Sequence, residues 1–272
     1  MNALFDLQGR VAVVTGAMGL LGKEHCRALA SGGARVVLTD LDTGAAPPLV
    51  EELATLGAKG VLAVDADVTD PESLLALRDG IRANFGTVDV LVNNAAIDDK
   101  VESPASALEE SRFENYALRR FRRALDVNVT GVFLASQILG ADMAKAGRGS
   151  IINVASTYGV VAPDQALYRT PDGEQTFFKS PVYPTSKGAV LAFTRYLAAY
   201  WGEVGVRVNA LSPGGVANGQ DAHFVSNYAS RTLLGRMAYP HDYRGAILFL
   251  ASDASAYVTG TNLIVDGGWT AK

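Results

Sequence analysis

The sequence predicts a doubly wound α/β fold, a seven-stranded parallel sheet with helices on both faces, on three observations. Short β-branched runs alternate with longer segments of helical period along the whole chain, the pattern of repeated strand–helix–strand units. Most of the runs are nearly continuously apolar, as strands covered on both faces must be. The first run passes through a glycine-rich turn straight into a helical segment, the geometry of an opening strand–turn–helix unit.

In chain order, the strands are expected at residues 10–15, 35–40, 60–64, 88–92, 150–155, 206–211 and 262–265. Each is short, rich in Val, Ile and Leu, and bounded by turn-forming residues. Helices fill the intervals at 19–31, 48–56, 71–85, 182–203 and 241–251, with a long region over 111–145 that splits in two. The 71–85 helix carries a start signal in Thr69-Asp70-Pro71-Glu72: a capping side chain, proline in the first turn and acids near the positive dipole end. Residues 157–181, with Pro163, Pro171, Gly173 and several charges, fit neither period. A loop of that length inside a compact domain is functional or disordered. With no repeat, low-complexity tract or long linker, residues 1–272 are read as a single domain.

Composition narrows the function. The chain has 272 residues, 49% of them hydrophobic, and 24 Lys plus Arg against 28 Asp plus Glu, a formal charge of −4. There is no basic surplus to neutralise phosphates, so nucleic acid and anionic membranes are not expected partners. The single cysteine, Cys26, cannot make an internal disulfide, and His25, His223 and His241 lack zinc-ligand spacing, so no metal is expected. The start Met-Asn-Ala-Leu-Phe-Asp lacks the pattern of a signal peptide, which makes the cytoplasm the expected location. Charge-free stretches such as 127–141 fall short of the ~18 residues a bilayer span needs.

The chemistry concentrates in three places. In Thr15-Gly16-Ala17-Met18-Gly19-Leu20-Leu21-Gly22, glycines let the backbone turn tightly and approach a pyrophosphate, while the helix N-terminus offers free N–H groups. Tight packing alone would also use such a turn. The second strand ends at Asp40, where an acid can accept both hydroxyls of an adenine ribose and would repel a 2′-phosphate. No base accompanies it in 38–42, which favours NAD over NADP, and Lys23 is the one nearby cation that complicates the choice. Third, Tyr183-Pro184-Thr185-Ser186-Lys187 places a phenol and an ammonium at i and i+4 on one helix face. A cation ~4 Å away at an effective dielectric of ~20 would favour the phenolate by ~4 kcal/mol, or ~3 pKa units. A phenol so tuned can give a proton to a carbonyl oxygen or take one from an alcohol. Tyr-x-x-x-Lys alone also arises by chance on helices.

Taken in order, these motifs resemble the short-chain dehydrogenase/reductase family of the single-domain, NAD-preferring, Rossmann type, from the first strand to Gly268. Thr15–Gly22 is similar to its cofactor loop and Asp67-Val68 to its adenine contact. Asn93-Asn94-Ala95-Ala96 resembles its Asn-Asn-Ala-Gly segment. Asn128, Ser156, Tyr183 and Lys187 follow, then Asn209, Pro213-Gly214-Gly215-Val216 and Val265-Asp266-Gly267-Gly268. The resemblance implies that Tyr183 is the general acid/base, that Lys187 lowers its pKa and holds the nicotinamide ribose, and that Ser156 polarises the substrate oxygen. It implies that Asn128 holds a water linking Lys187 to solvent. Cofactor contacts are implied for Gly16, Gly19, Leu20, Leu21, Gly22, Asp40, Asp67, Val68, Asn94, Ala95, Tyr183, Lys187, Pro213, Gly214 and Val216. Val216 would meet the carboxamide through its backbone. Asn93 and Asn94 serve equally well as braces of the sheet, and Asn209 and Asp266 read as structural. A homotetramer or dimer is implied through the helices in 111–145 and 182–203.

Three departures stand out. The middle glycine of the loop is shifted, Asn-Asn-Ala-Gly has become Asn-Asn-Ala-Ala, and Ser156 and Tyr183 stand 27 residues apart, more than is usual. Residues 157–181 therefore read as an insertion at the mouth of the substrate pocket. There Arg169 or Lys179 is a candidate clamp for a substrate carboxylate or phosphate. The polar content suits a polyol, sugar acid or sugar-derived substrate better than a steroid. Residues 218–236 are expected to close over it as a mobile lid, with His223 and Phe224 as contacts. The expected reaction is hydride transfer between NAD(H) and a secondary alcohol or ketone on a small molecule. Two alternatives stay open: a sugar-nucleotide epimerase or dehydratase with bound NAD, and a non-enzymatic NAD-binding sensor. The first normally needs a C-terminal substrate domain, and 85 residues follow Lys187.

Overall fold

The computed structural model describes residues 3–98 and 104–272. Seven strands form one parallel sheet: β1 Val11–Thr15, β2 Arg35–Asp40, β3 Gly60–Asp65, β4 Val90–Asn93, β5 Gly149–Val154, β6 Val206–Pro213 and β7 Asn262–Val265. Their spatial order is β3-β2-β1-β4-β5-β6-β7, all neighbours parallel. The order reverses between β1 and β4, the switch point where the carboxyl ends of such sheets open a crevice.

Alternation along each strand sends side chains to two separate cores. Ala12, Val14, Val36, Leu38, Val92 and Ile152 pack under α1 Leu20–Ser31, α2 Pro47–Leu56 and α9 Arg244–Ala251, with Leu29, Leu53 and Leu250 filling the layer. Val11, Val13, Val37, Leu91, Ile151 and Val208 face α3 Pro71–Asn84, α6 Gly131–Ala146 and α7 Val182–Trp201, through Leu77, Leu139, Met143 and Leu197. Asp70 caps α3 by accepting from the Glu72 amide, with Pro71 at the first turn. A buried amide network crosses the second layer: Asn93 donates to Asn153 and Ser136, and Asn153 donates to Thr194. Asn93 thus braces the sheet. Asn209 and Asp266 likewise hold loops: Asn209 donates to the Val258 carbonyl, and Asp266 accepts from Gly268 and Thr270.

The region 111–145 differs from expectation. A helix α4 Pro104–Ser111 precedes it, a short turn follows, and α5 Leu118–Leu125 runs through a π turn, Asp126–Thr130, into α6. The chain extends at Arg112, Tyr116 and Ala117, so the break falls near the start of the region. Leu118–Ala146 is long and apolar enough by composition to cross a bilayer. Its buried residues Ala135, Leu139 and Met143 belong to the core. A further helix, α8 Ala222–Arg231, lies within the segment expected as a lid, capped by Asp221 on the Phe224 amide. Residues 157–181 contain two short 3-10 turns, Thr157–Gly159 and Gln165–Tyr168, and a bridge between Arg169 and Gln175.

Candidate active site

Two adjoining cavities open at the carboxyl ends of the strands. The first, of about 530 Å³, is lined by Gly16, Gly19, Leu20, Leu21, Asp40, Asp67, Val68, Asn94 and Ala95 among others. Its floor is backbone. Gly16 has φ +63°, and a Cβ on it would sit 2.7 Å from the Ala95 Cα; a Cβ on Gly22 would sit 2.1 Å from the Gly16 carbonyl oxygen. Gly19 caps α1 with no side-chain bond to its first turn, which leaves those N–H groups facing the groove. The loop is locked from below: Asn94 donates to the Thr15 and Gly16 carbonyls, and the Thr15 hydroxyl accepts from the Asn94 and Ala95 amides. A cradle that side chains would fill, with unpaired amides and an acid at its end, fits a dinucleotide.

The Asp40 carboxylate accepts from the Met18 amide at 2.9 Å and from the Leu41 amide at 2.8 Å, tying the end of β2 to the glycine loop. Each oxygen keeps a second lone pair for a ribose hydroxyl. Asp67 accepts from the amide and hydroxyl of Thr69, and Val68 packs against Gly131, where a Cβ would meet its side chain at 2.7 Å. Lys23 does not line this groove. Arg123 on α5 does, a cation the sequence reading did not single out.

The second cavity, of about 330 Å³, brings together Ser156, Tyr183, Lys187, Pro213, Gly214 and Val216. Ser156, just past β5, accepts from the Tyr158 amide and lies against the Tyr183 phenol. Lys187, one turn along α7 and 3% exposed, donates to the Val154 carbonyl at 2.8 Å, its Nζ 5.7 Å from the Tyr183 ring centroid. Gly159 makes this possible by lying directly on the Lys187 backbone. Asn128, in the π turn, is fully buried. It accepts from the Ile97 amide and donates to the Ile97 carbonyl and the Ser186 hydroxyl. Its side chain therefore pins the loop after β4 to α7, and contact between Asn128 and Lys187 is not among its bonds. A π turn at this point is a common mark of a functional position.

One electrostatic expectation is overturned. Tyr183 is pushed above the ordinary phenol range, first by burial and then by the Asp98 carboxylate; the Ser156 hydrogen bond opposes both. Lys187 is itself pulled down to about 8 by burial. An ammonium at i+4 favours the phenolate when it stands ~4 Å from the phenol at little desolvation cost, whereas Lys187 is spent on a backbone carbonyl and burial dominates.

Tyr168, one of the polar residues that 157–181 was expected to bring to the pocket, lines the cavity; other lining residues escaped the sequence reading: Asp98 after β4, Tyr158 from 157–181, and Gln220, Tyr228 and Met237 around α8. Tyr228 accepts from the Gly215 amide, and a Cβ on Gly215 would strike its ring. The position of Tyr158, two residues after Ser156, was the available signal. Of the lid contacts, Phe224 lines the cavity and meets Tyr168 at 5.7 Å, while His223 pairs with Asn227 outside it. Asp164 and Arg231 join the 157–181 segment to α8 at 2.6 Å. Arg169 points elsewhere, donating to Gln175, so it is no clamp; Lys179 lies in the wall, paired with Asp98.

Comparison with known proteins agrees with this geometry. A family model described as enoyl-(acyl carrier protein) reductase matches residues 16–270. The chain is 36% identical over 274 residues to D-threitol dehydrogenase of Mycolicibacterium smegmatis, covering 98% of this chain and 95% of the relative. It is 37% identical over 278 residues to galactitol 2-dehydrogenase (L-tagatose-forming) of Cereibacter sphaeroides, covering 99% and 98%. Among solved structures, a short-chain type dehydrogenase/reductase from Mycobacterium marinum superposes with a TM-score of 0.84 at 32% identity over 99% and 98% of the two chains. A gluconate 5-dehydrogenase from Burkholderia cenocepacia, in complex with NADP and tartrate, does so with a TM-score of 0.85 at 29% identity over 99% and 98%.

Proposed function

We propose that this chain, which belongs to the short-chain dehydrogenase/reductase family and is an oxidoreductase acting on CH–OH groups with a nicotinamide dinucleotide, oxidises polyol-like secondary alcohols with NAD. The observation that carries the reading is the convergence of Ser156, Tyr183 and Lys187 on a cavity that adjoins the glycine-floored groove. When bound, the dinucleotide supplies the hydride acceptor or donor at its nicotinamide. The groove residues Gly16, Gly19, Leu20, Leu21, Gly22, Asp67, Val68, Asn94 and Ala95 would hold it, with Pro213, Gly214 and Val216 at the cavity end.

In reduction Tyr183 gives its proton to the substrate oxygen as the neutral phenol that burial favours; in oxidation it must first lose that proton before it takes the one on the substrate hydroxyl. Ser156, beside the phenol, orients the substrate oxygen toward it. Lys187 sets the local charge and holds α7 to the end of β5 through Val154. Asn128 positions both neighbouring loops through Ile97 and Ser186. Asp40 supports NAD over NADP, because its carboxylate would face a 2′-phosphate with like charge. The relatives named for threitol and galactitol support a polyol.

The same reading makes the chain a single-domain cytoplasmic enzyme, a setting that suits one buried free thiol, Cys26. It also makes it a homo-oligomer, a tetramer or dimer. Tyr196 and Tyr200 stack on the exposed side of α7, where a second copy would cover them. Light scattering of the purified protein tests this directly.

The deciding experiment incubates the protein with a panel of alditols and either NAD or NADP and follows absorbance of the reduced cofactor. Reduction with NAD supports the reading. Isomerised product without net reduction would favour an epimerase, and tight NAD binding without turnover a sensor.

A further inference from the structure

We propose that Asp98 and Lys179 form a self-neutralised ion pair in the cavity wall that selects a neutral polyhydroxylated substrate over one bearing a carboxylate. This rests on the polyol reading above and narrows it. Lys179 Nζ pairs with the Asp98 carboxylate and lies 4.7 Å from the Tyr183 ring centroid, so the pair stands beside the candidate acid/base. Lys179 is held in place rather than merely adjacent. Gln165 accepts from its amide at 2.8 Å and donates to its carbonyl, and the ammonium-bearing side chain is only 13% exposed.

Among the described residues, the charged side chains lining this cavity are Asp98, Lys179 and Lys187. Lys187 is committed to the Val154 carbonyl and nearly inaccessible. A substrate carboxylate that reached Lys179 would therefore lie close to Asp98, like charge against like charge in a partly desolvated wall. A neutral polyol meets no such penalty. One of its hydroxyls can donate to Asp98 and another accept from Lys179 with the pair intact. The rest of the wall, with Tyr158, Tyr168, Phe224 and Tyr228, offers ring faces and hydroxyl tips but no further cation. Arg169, the other candidate anion clamp, is turned away toward Gln175.

The experiment compares kcat/KM for galactitol and for an aldonate such as gluconate, with one cofactor, in the parent and two variants. The parent is expected to favour the alditol at least tenfold. Asp98→Asn frees Lys179 and should move the ratio at least tenfold toward the aldonate, about 1.4 kcal/mol of discrimination. Lys179→Met leaves the acid alone in the wall and should move the ratio the other way. General loosening of the pocket would move both variants in the same direction, so opposite shifts are the signature. Asp98→Ser and Lys179→Gln replace any variant that fails to fold. Alditol turnover with an aldonate-preferring parent, an unmoved ratio, or shifts of the same sign would overturn the selection alone. A parent that oxidises no alditol would overturn the polyol reading, and this inference with it.

Discussion

The groove beneath the glycine loop and the cavity beside Tyr183 adjoin each other, yet they are built from different materials. The groove is backbone: Gly16 and Gly22 occupy places where no Cβ fits, and Asn94 and Thr15 lock the turn with four hydrogen bonds. The cavity is side chain: its wall draws on Asp98, the 157–181 segment and α8, elements joined by an ion pair and ring contacts. A backbone floor recognises what every dinucleotide shares, while a side-chain wall can be rewritten one residue at a time. Tolerance to substitution should therefore differ sharply between the two.

The largest effect is expected in the wall. Tyr183→Phe removes the phenol hydroxyl beside Ser156 and should lower kcat by about 10²–10⁴, with cofactor binding by fluorescence titration unchanged. Parent-like turnover would remove Tyr183 from the proton path. In the floor, the comparison is sharpest at Gly22→Ala. The added methyl meets the Gly16 carbonyl oxygen, so we expect a cost of about 1–3 kcal/mol in stability and a clear loss of NAD affinity, read by thermal unfolding and titration. A parent-like affinity would show the floor to be less rigid than its geometry implies.

A smaller change is expected at the far end of the floor. Asp40→Asn keeps one acceptor oxygen, enough for Met18 or Leu41 but not both, and removes the charge, and should raise the NADP-to-NAD ratio of kcat/KM by about tenfold. A separate test, away from both regions, is acid stability. His25, fully buried on α1, is pulled down to about 3 by burial, against an ordinary value of 6.5. Between those values the unfolded chain binds a proton that the folded chain does not. Stability should then fall as pH drops from 6.5 toward 3, with a slope approaching about 1.4 kcal/mol per pH unit. His25→Leu should flatten that part of the urea-denaturation profile.

The difference between the regions also governs what the sequence made legible. The groove was readable because glycine spacing, a strand-end acid and Asn94 report a local backbone conformation within a few residues of each motif. The strand positions followed from the alternation of apolar runs with helical segments, with edges shifting by a residue or two. The wall was not readable in this way. Asp98 and Lys179 meet across 81 residues; Lys179 stood out as a cation in the irregular segment, but nothing local pointed to Asp98 as its partner. Helix α8 was missed, its residues being expected as part of a mobile lid over 218–236, although Asp221 followed by Phe224, Val225 and Tyr228 gives a cap and an apolar face. The charge relation of Tyr183 and Lys187 was misjudged for a third reason. Spacing on a helix sets which face a side chain shares, but desolvation and a competing carbonyl decide its protonation.

Oxidation of a neutral polyol by this chain, as proposed above, carries net reduction of NAD with it. Incubating the protein with galactitol and NAD, then measuring ketose and reduced cofactor in the same sample, tests it most directly. The two products are expected in a one-to-one ratio, with NADP giving much less of both. A sugar product formed without reduced cofactor, or turnover confined to NADP, would contradict it.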